Sequence, residues 1–182
     1  MITKKFTSDF SNYEAKGLAL LERVAKKFKK TFTEIKPTEY GCFFDALARN
    51  HTGGTYALEL KTRDYKSEDC YIEVMKFEKL RDLWRFSKIL PIYIVFYPDE
   101  AYMWVLTETN NPVYHANVVV TQKDGYTYET DRFGLSFDEA IHMDLDGNVL
   151  SVPENISGKK VPEYKDPSVM EGKITRQKIE KL

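Results

Sequence analysis

Apolar positions recur first at helical and then at strand spacing. Leu18, Leu21, Val24, Ala25 and Phe28 lie on one helical face, which predicts a helix over residues 9–30, capped by Ser8 or Asp9. Lys26, Lys27, Lys29 and Lys30 suit the negative end of its dipole. Glu22 is the polar exception among those apolar neighbours. Alternation then takes over. Thr31–Ile35, Tyr40–Ala48 and Thr55–Thr62 read as three strands, the last two joined by the turn signal Asn50-His51-Thr52-Gly53-Gly54. On the third strand Tyr56, Leu58 and Leu60 share one face, and Ala57, Glu59 and Lys61 share the other.

Residues 64–70 read as a polar loop and residues 71–89 as a second helix carrying Val74, Phe77, Leu80, Leu83, Trp84 and Phe86, with a short strand at Cys70–Ile72 as the alternative for its start. Pro91 opens a strand over Ile92–Tyr97, and a further strand covers Ala101–Leu106. The order α, β, β, β, α, β, β combines hairpins with a crossover helix. It predicts an α/β (α+β) fold with a mixed central sheet flanked by helices. Strands are expected at Asn117–Thr121, Gly125–Glu129 and Asp144–Val149, with a short helical stretch near Asp138–Met143. Three regions of one domain follow: a core over 1–106, a β-rich extension over 107–150 and a loosely packed basic tail over 151–182, ending in a helix at Val169–Leu182.

Composition adds little until charge is mapped. The chain is 42% hydrophobic and 30% charged, an ordinary globular profile. No apolar run approaches the roughly 20 residues of a membrane span, and no signal-peptide pattern opens the chain. The two cysteines, Cys42 and Cys70, form neither a disulfide framework nor a metal motif, so a cytoplasmic setting is expected. The net charge of −1 hides an asymmetry. Residues 1–98 hold 18 Lys/Arg and 13 Asp/Glu, residues 99–148 hold 2 and 10, and residues 149–182 hold 7 and 5. The first section can supply a basic face for nucleic acid. The acidic section is expected to lie away from any such path.

The candidate chemistry is carried by Asp45, Glu59 and Lys61. A hairpin brings Asp45 beside Glu59, and the carbonyl of Leu60 lies between Glu59 and Lys61. Oxygen ligands of this kind suit a hard divalent cation, which acidifies a bound water for attack on a phosphodiester. Lys61 would orient that water or offset developing negative charge. The bland reading of Glu59 and Lys61 is an ion pair on an exposed sheet. Asp144–Asn148 looks like the start of a Ca²⁺ loop, but Asn155 stands where the closing Glu is required, and a turn at Asp146-Gly147 fits better. His51, His115 and His142 have no ligand spacing.

Asp45, a linker of 13 residues, and Glu59-Leu60-Lys61 on the next strand resemble the active-site pattern of the PD-(D/E)xK nuclease superfamily, which includes restriction enzymes and Holliday-junction resolvases. Phe44 stands where the pattern has Pro. The resemblance implies a restriction-endonuclease-like αβββαβ core, Mg²⁺ or Mn²⁺ as cofactor, DNA as partner and a homodimer. It also implies supporting roles for Glu22 on the first helix and Lys76 on the second, with Lys79 nearby. Arg49, Arg63, Lys66 and Lys79 are expected to contact phosphates, which position a substrate without reading its sequence. The alternative is a nuclease-fold module that binds DNA or protein without cutting.

Overall fold

The computed structural model describes residues 15–17, 19–21, 23, 26, 32–39, 42–107, 110, 112–121 and 125–153. Glu22 and the tail from residue 154 lie outside them. The described residues of 15–26 are helical, and Leu20 and Leu21 are buried. Ten strands and one further helix follow: β1 (Phe32–Pro37), β2 (Ala46–Asn50), β3 (Thr55–Thr62), β4 (Cys70–Glu73), α1 (Val74–Ser87), β5 (Leu90–Phe96), β6 (Glu100–Val105), β7 (Val113–Thr121), β8 (Thr127–Leu135), β9 (Ile141–Asp144) and β10 (Val149–Ser151). The expected α, β, β, β, α, β order and the mixed sheet are therefore present, with one short strand added before α1.

The central sheet runs β1-β2-β3-β5-β6-β9-β10. Among the described strands of this sheet only β3 and β5 pair in parallel; every other neighbouring pair is antiparallel. A parallel pair cannot be closed by a hairpin, so the chain must cross over one face. That crossover is β4 and α1. It buries Phe77 and Leu80 against Tyr93, Val95 and Trp104. On the opposite face, Leu20 and Leu21 pack with Leu58, Ile92, Ile94 and Met103. Gly17 lies so close to the Leu60 side chain that a Cβ there would collide with it. Covered on both faces, β5 reads Leu90-Pro-Ile-Tyr-Ile-Val-Phe96 and is buried from Pro91 onward, as a central strand should be.

A second sheet, β4-β8-β7, grows from the crossover, with Cys70 opposite Leu135 and Glu73 opposite Arg132. The segment after residue 106 thus divides between the two sheets. Asp138–Met143 is not a helical stretch: a 3₁₀ turn covers Phe137–Glu139, and Ile141–Asp144 is a strand paired to β6. Residues 70–73 are strand, so α1 starts at Val74. It ends at Lys88, whose φ of 55° closes the helix in left-handed geometry.

The β2–β3 hairpin sets the register of the site. Asn50, 4% exposed, accepts through Oδ1 from Gly54 N (2.6 Å), Thr52 N (3.1 Å) and the Thr52 hydroxyl (2.9 Å). Gly53 takes the positive φ of 81° that the turn demands. Asn50→Ala strands the Gly54 N–H in a buried turn. Chemical denaturation should show a loss of about 2 kcal/mol; a loss within error of zero would show that the turn holds without the side chain.

Candidate functional site

Asp45 is not inside a strand, as the apolar residues around it suggest. It ends a bend, Phe43–Asp45, immediately before β2. Thr38 fixes that bend: its N–H donates to Asp45 O (2.9 Å), and its hydroxyl contacts the carbonyls of Phe44 and Asp45. Asp45 N donates to Leu58 O (2.7 Å), continuing the β2–β3 ladder by one bond. The next bond is made by the side chain, because Leu60 N donates to Asp45 Oδ2 at 2.7 Å. The carboxylate thus replaces a strand partner and is held at the edge of Glu59. Thr38 was not singled out in the sequence, since a threonine between strands carries no signal of its own.

Glu59 is on β3, 7% exposed, under α1. Its Oε1 pairs with Lys76 Nζ at 2.6 Å. Its Oε2 has no hydrogen-bond partner among the described residues. Burial, then the charge of Asp45, push the Glu59 carboxyl up to about 7, against the pull of Lys76 and Lys61. Burial also raises Asp45, opposed by the Leu60 N–H and by the same two lysines. Two carboxylates of this kind destabilise one another unless a positive charge lies between or beside them.

An open pocket of about 110 Å³ adjoins Glu59. Lys61, Arg63 and Lys76 line it, together with Tyr71, Ile72, Glu73, Tyr93 and Arg132. Lys61 is exposed at the end of β3. Arg63 is held by the Tyr71 carbonyl and by the hydroxyl of fully buried Tyr93. Arg132 comes from β8, so the second sheet borders the site, and the expectation that the acidic section lies away from it is corrected. Arg132 is one of only two basic residues in that section, and the charge count hid it.

Other predicted residues lie elsewhere. Lys66 is bound to Glu100 (3.1 Å) and lies over the rings of Tyr102 and Phe137. Arg49 is exposed on β2, four residues or roughly 13 Å along the strand from Asp45. Lys79 is exposed on α1, away from the pocket lining. Glu22 is outside the described residues. Among the described residues no group of three His, Cys, Asp or Glu side chains is placed to hold a metal. The carboxylates at the site are those of Glu59 and Glu73, which line the pocket, and of Asp45 on the adjoining bend. Leu60 turns its backbone to the same side as Leu58, toward Asp45.

The structure is similar to that of Hjc, a Holliday junction resolvase from the archaeal hyperthermophile Archaeoglobus fulgidus. Identity is 16%, the match covers 66% of this chain and 84% of that one, and the TM-score is 0.38. No family model and no curated protein matches the chain. The likeness is too distant to define a family. No helix among the described residues is long and apolar enough to cross a membrane.

The burial of Glu59 has a measurable consequence. With its carboxyl raised to about 7, the folded state holds more protons than the unfolded state between about pH 4.5 and 7. Stability therefore falls as pH rises through that window and levels off above it. In EDTA, Glu59→Gln should flatten this part of the profile and stabilise the protein by roughly 2 to 3 kcal/mol at pH 8. Thermal unfolding across pH 5–8 decides the matter, and parallel profiles for wild type and variant would contradict it.

Proposed function

We propose that the chain is a divalent-cation-dependent nuclease that hydrolyses phosphodiester bonds, with DNA as substrate. The observation that carries this reading is buried Glu59, its Oε2 unmatched, at an open pocket lined by Lys61 and Lys76, with the half-buried Asp45 close enough for its charge to raise the Glu59 carboxyl. A buried carboxylate oxygen without a partner costs folding free energy, and a bound cation would offset that cost. Asp45, Glu59 and the Leu60 carbonyl are the oxygens that would hold Mg²⁺ or Mn²⁺, both of which favour such donors. When bound, the cation supplies a Lewis acid that makes water nucleophilic near neutral pH.

The remaining roles belong to the chain itself. Thr38 fixes the Asp45 backbone, and Leu60 N fixes its carboxylate. Lys76 fixes one oxygen of Glu59 and leaves the other facing no partner. Lys61, at the exposed end of β3, is placed to offset the charge that grows on the phosphorus oxygens as water attacks and the leaving oxygen departs. One observation favours the second reading, a binding module without chemistry: the Lys76–Glu59 ion pair already meets half of the carboxylate's need.

Incubation with supercoiled, branched and single-stranded DNA, and with RNA, separates these readings. Cleavage should require Mg²⁺ or Mn²⁺ and vanish in EDTA. Asp45→Asn and Glu59→Gln should abolish it, and Lys61→Ala should lower the rate about a hundredfold or more. The nuclease reading fails if no nucleic acid is cut with either metal, or if Lys61→Ala matches wild type.

A further inference from the structure

We infer that Arg63 and Arg132 form a subsite for a backbone phosphate, so that the second sheet is part of the substrate-binding surface. The inference rests on the nucleic-acid reading above and deepens it. Three atoms carry it. Glu59 Oε2, Arg63 Nε and Arg132 Nε are each buried and without a hydrogen-bond partner among the described residues, and all three belong to residues lining the same pocket. One is an acceptor and two are donors. A bridging water answers all three in the absence of ligand, and a cation together with an anion can replace it. A cation answers the carboxylate, and an anionic oxygen answers the two guanidinium N–H groups.

Charge points the same way. Four basic side chains line the pocket, Lys61, Arg63, Lys76 and Arg132, against two acidic ones, Glu59 and Glu73. The excess favours an anion. The pocket is open to solvent, so a backbone phosphate can reach these side chains from outside. Guanidinium forks match phosphate geometry in a way that a lysine does not.

Both forks are also positioned before any ligand arrives. Arg63 is anchored by the Tyr71 carbonyl and the Tyr93 hydroxyl. Arg132 bonds the Tyr128 hydroxyl, which itself donates to Glu73 (3.1 Å). The β4–β8 ladder, from Cys70–Leu135 to Glu73–Arg132, ends at this point. That ladder joins the crossover of the central sheet to the second sheet and delivers Arg132 to Glu59. Side chains already ordered lose less entropy on binding.

Binding without cleavage tests the subsite. Wild type, Arg132→Gln and Arg132→Lys are titrated in EDTA against a fluorescein-labelled 20-base-pair DNA duplex at several KCl concentrations, with thermal unfolding as a check on folding. Arg132→Gln should weaken binding about tenfold and reduce the slope of log K against log salt by about 1. Arg132→Lys should keep the slope and lose several-fold in affinity. Wild-type affinity and slope in Arg132→Gln would overturn the subsite, as would a wild type that does not bind the duplex. If Arg132→Gln does not fold, undiminished affinity in Arg132→Lys overturns it instead. A loss of affinity and slope in a protein that cuts nothing with Mg²⁺ or Mn²⁺ sinks the nuclease reading and leaves the subsite standing. Metal-dependent cleavage with unchanged binding in Arg132→Gln does the reverse.

Discussion

Pairing β3 and β5 in parallel obliges the chain to leave the sheet, travel its length and return. Everything distinctive about this protein follows from where that excursion lies. It covers the face of β3 that carries Glu59, and it covers it with α1, whose third residue is Lys76. Burial of Glu59 and its ion pair are thus two results of one topological requirement. On its way the crossover lays down β4, the edge strand of the second sheet, to which β8 pairs. Were β3 and β5 antiparallel, a short turn would suffice. Glu59 would then face solvent with an ordinary acidity.

A carboxylate buried under a helix, with a half-buried one at its side, forms an unfavourable arrangement by default. Burial alone raises both, and Asp45 raises Glu59 further. The fold manages this unevenly. Asp45 accepts a backbone N–H that would otherwise lack a partner, so its position also serves the sheet. Glu59 has no such service to perform. Its one ion pair leaves an oxygen unmatched, and its acidity is pushed to neutrality. A carboxyl raised in this way keeps its proton to higher pH than an exposed glutamate does. Such strain is what distinguishes a site from a surface ion pair. The bland sequence reading, an exposed Glu59–Lys61 pair, fails on burial: Glu59 is enclosed and Lys61 is not.

Much of this was legible in the residues. The alternation in Tyr56–Lys61 gave the correct faces of β3, and Asn50–Gly54 gave the hairpin that aligns Asp45 with Glu59. The uninterrupted apolar run at 91–97 marked a strand buried on both sides. What could not be read is equally physical. The apolar run at 42–48 hid the fact that Asp45 ends a bend, because the deciding bonds come from Thr38, outside the run. Lys66 looked like a phosphate contact beside the motif. Its partner Glu100 is 34 residues away, and no local pattern announces such a pair. Arg132 was masked by the acidity of its surroundings, since net charge averages over residues that the fold later separates.

That averaging has a deeper consequence for how the two sheets share the work. An acidic section repels a polyanion only if its charges face it. On β8, side chains alternate between the two faces. Asp131 is exposed and turned to Tyr114 and Asn117 of β7, whereas its neighbour Arg132 lines the pocket. Adjacent residues of opposite charge are thus sent to opposite sides of one strand. The same section can remain acidic toward solvent and basic toward the site. A one-residue slip of β8 against β4 would exchange the two and place a carboxylate beside Glu59. The register from Cys70–Leu135 to Glu73–Arg132 is therefore an electrostatic requirement of the pocket as well as a packing requirement of the sheet.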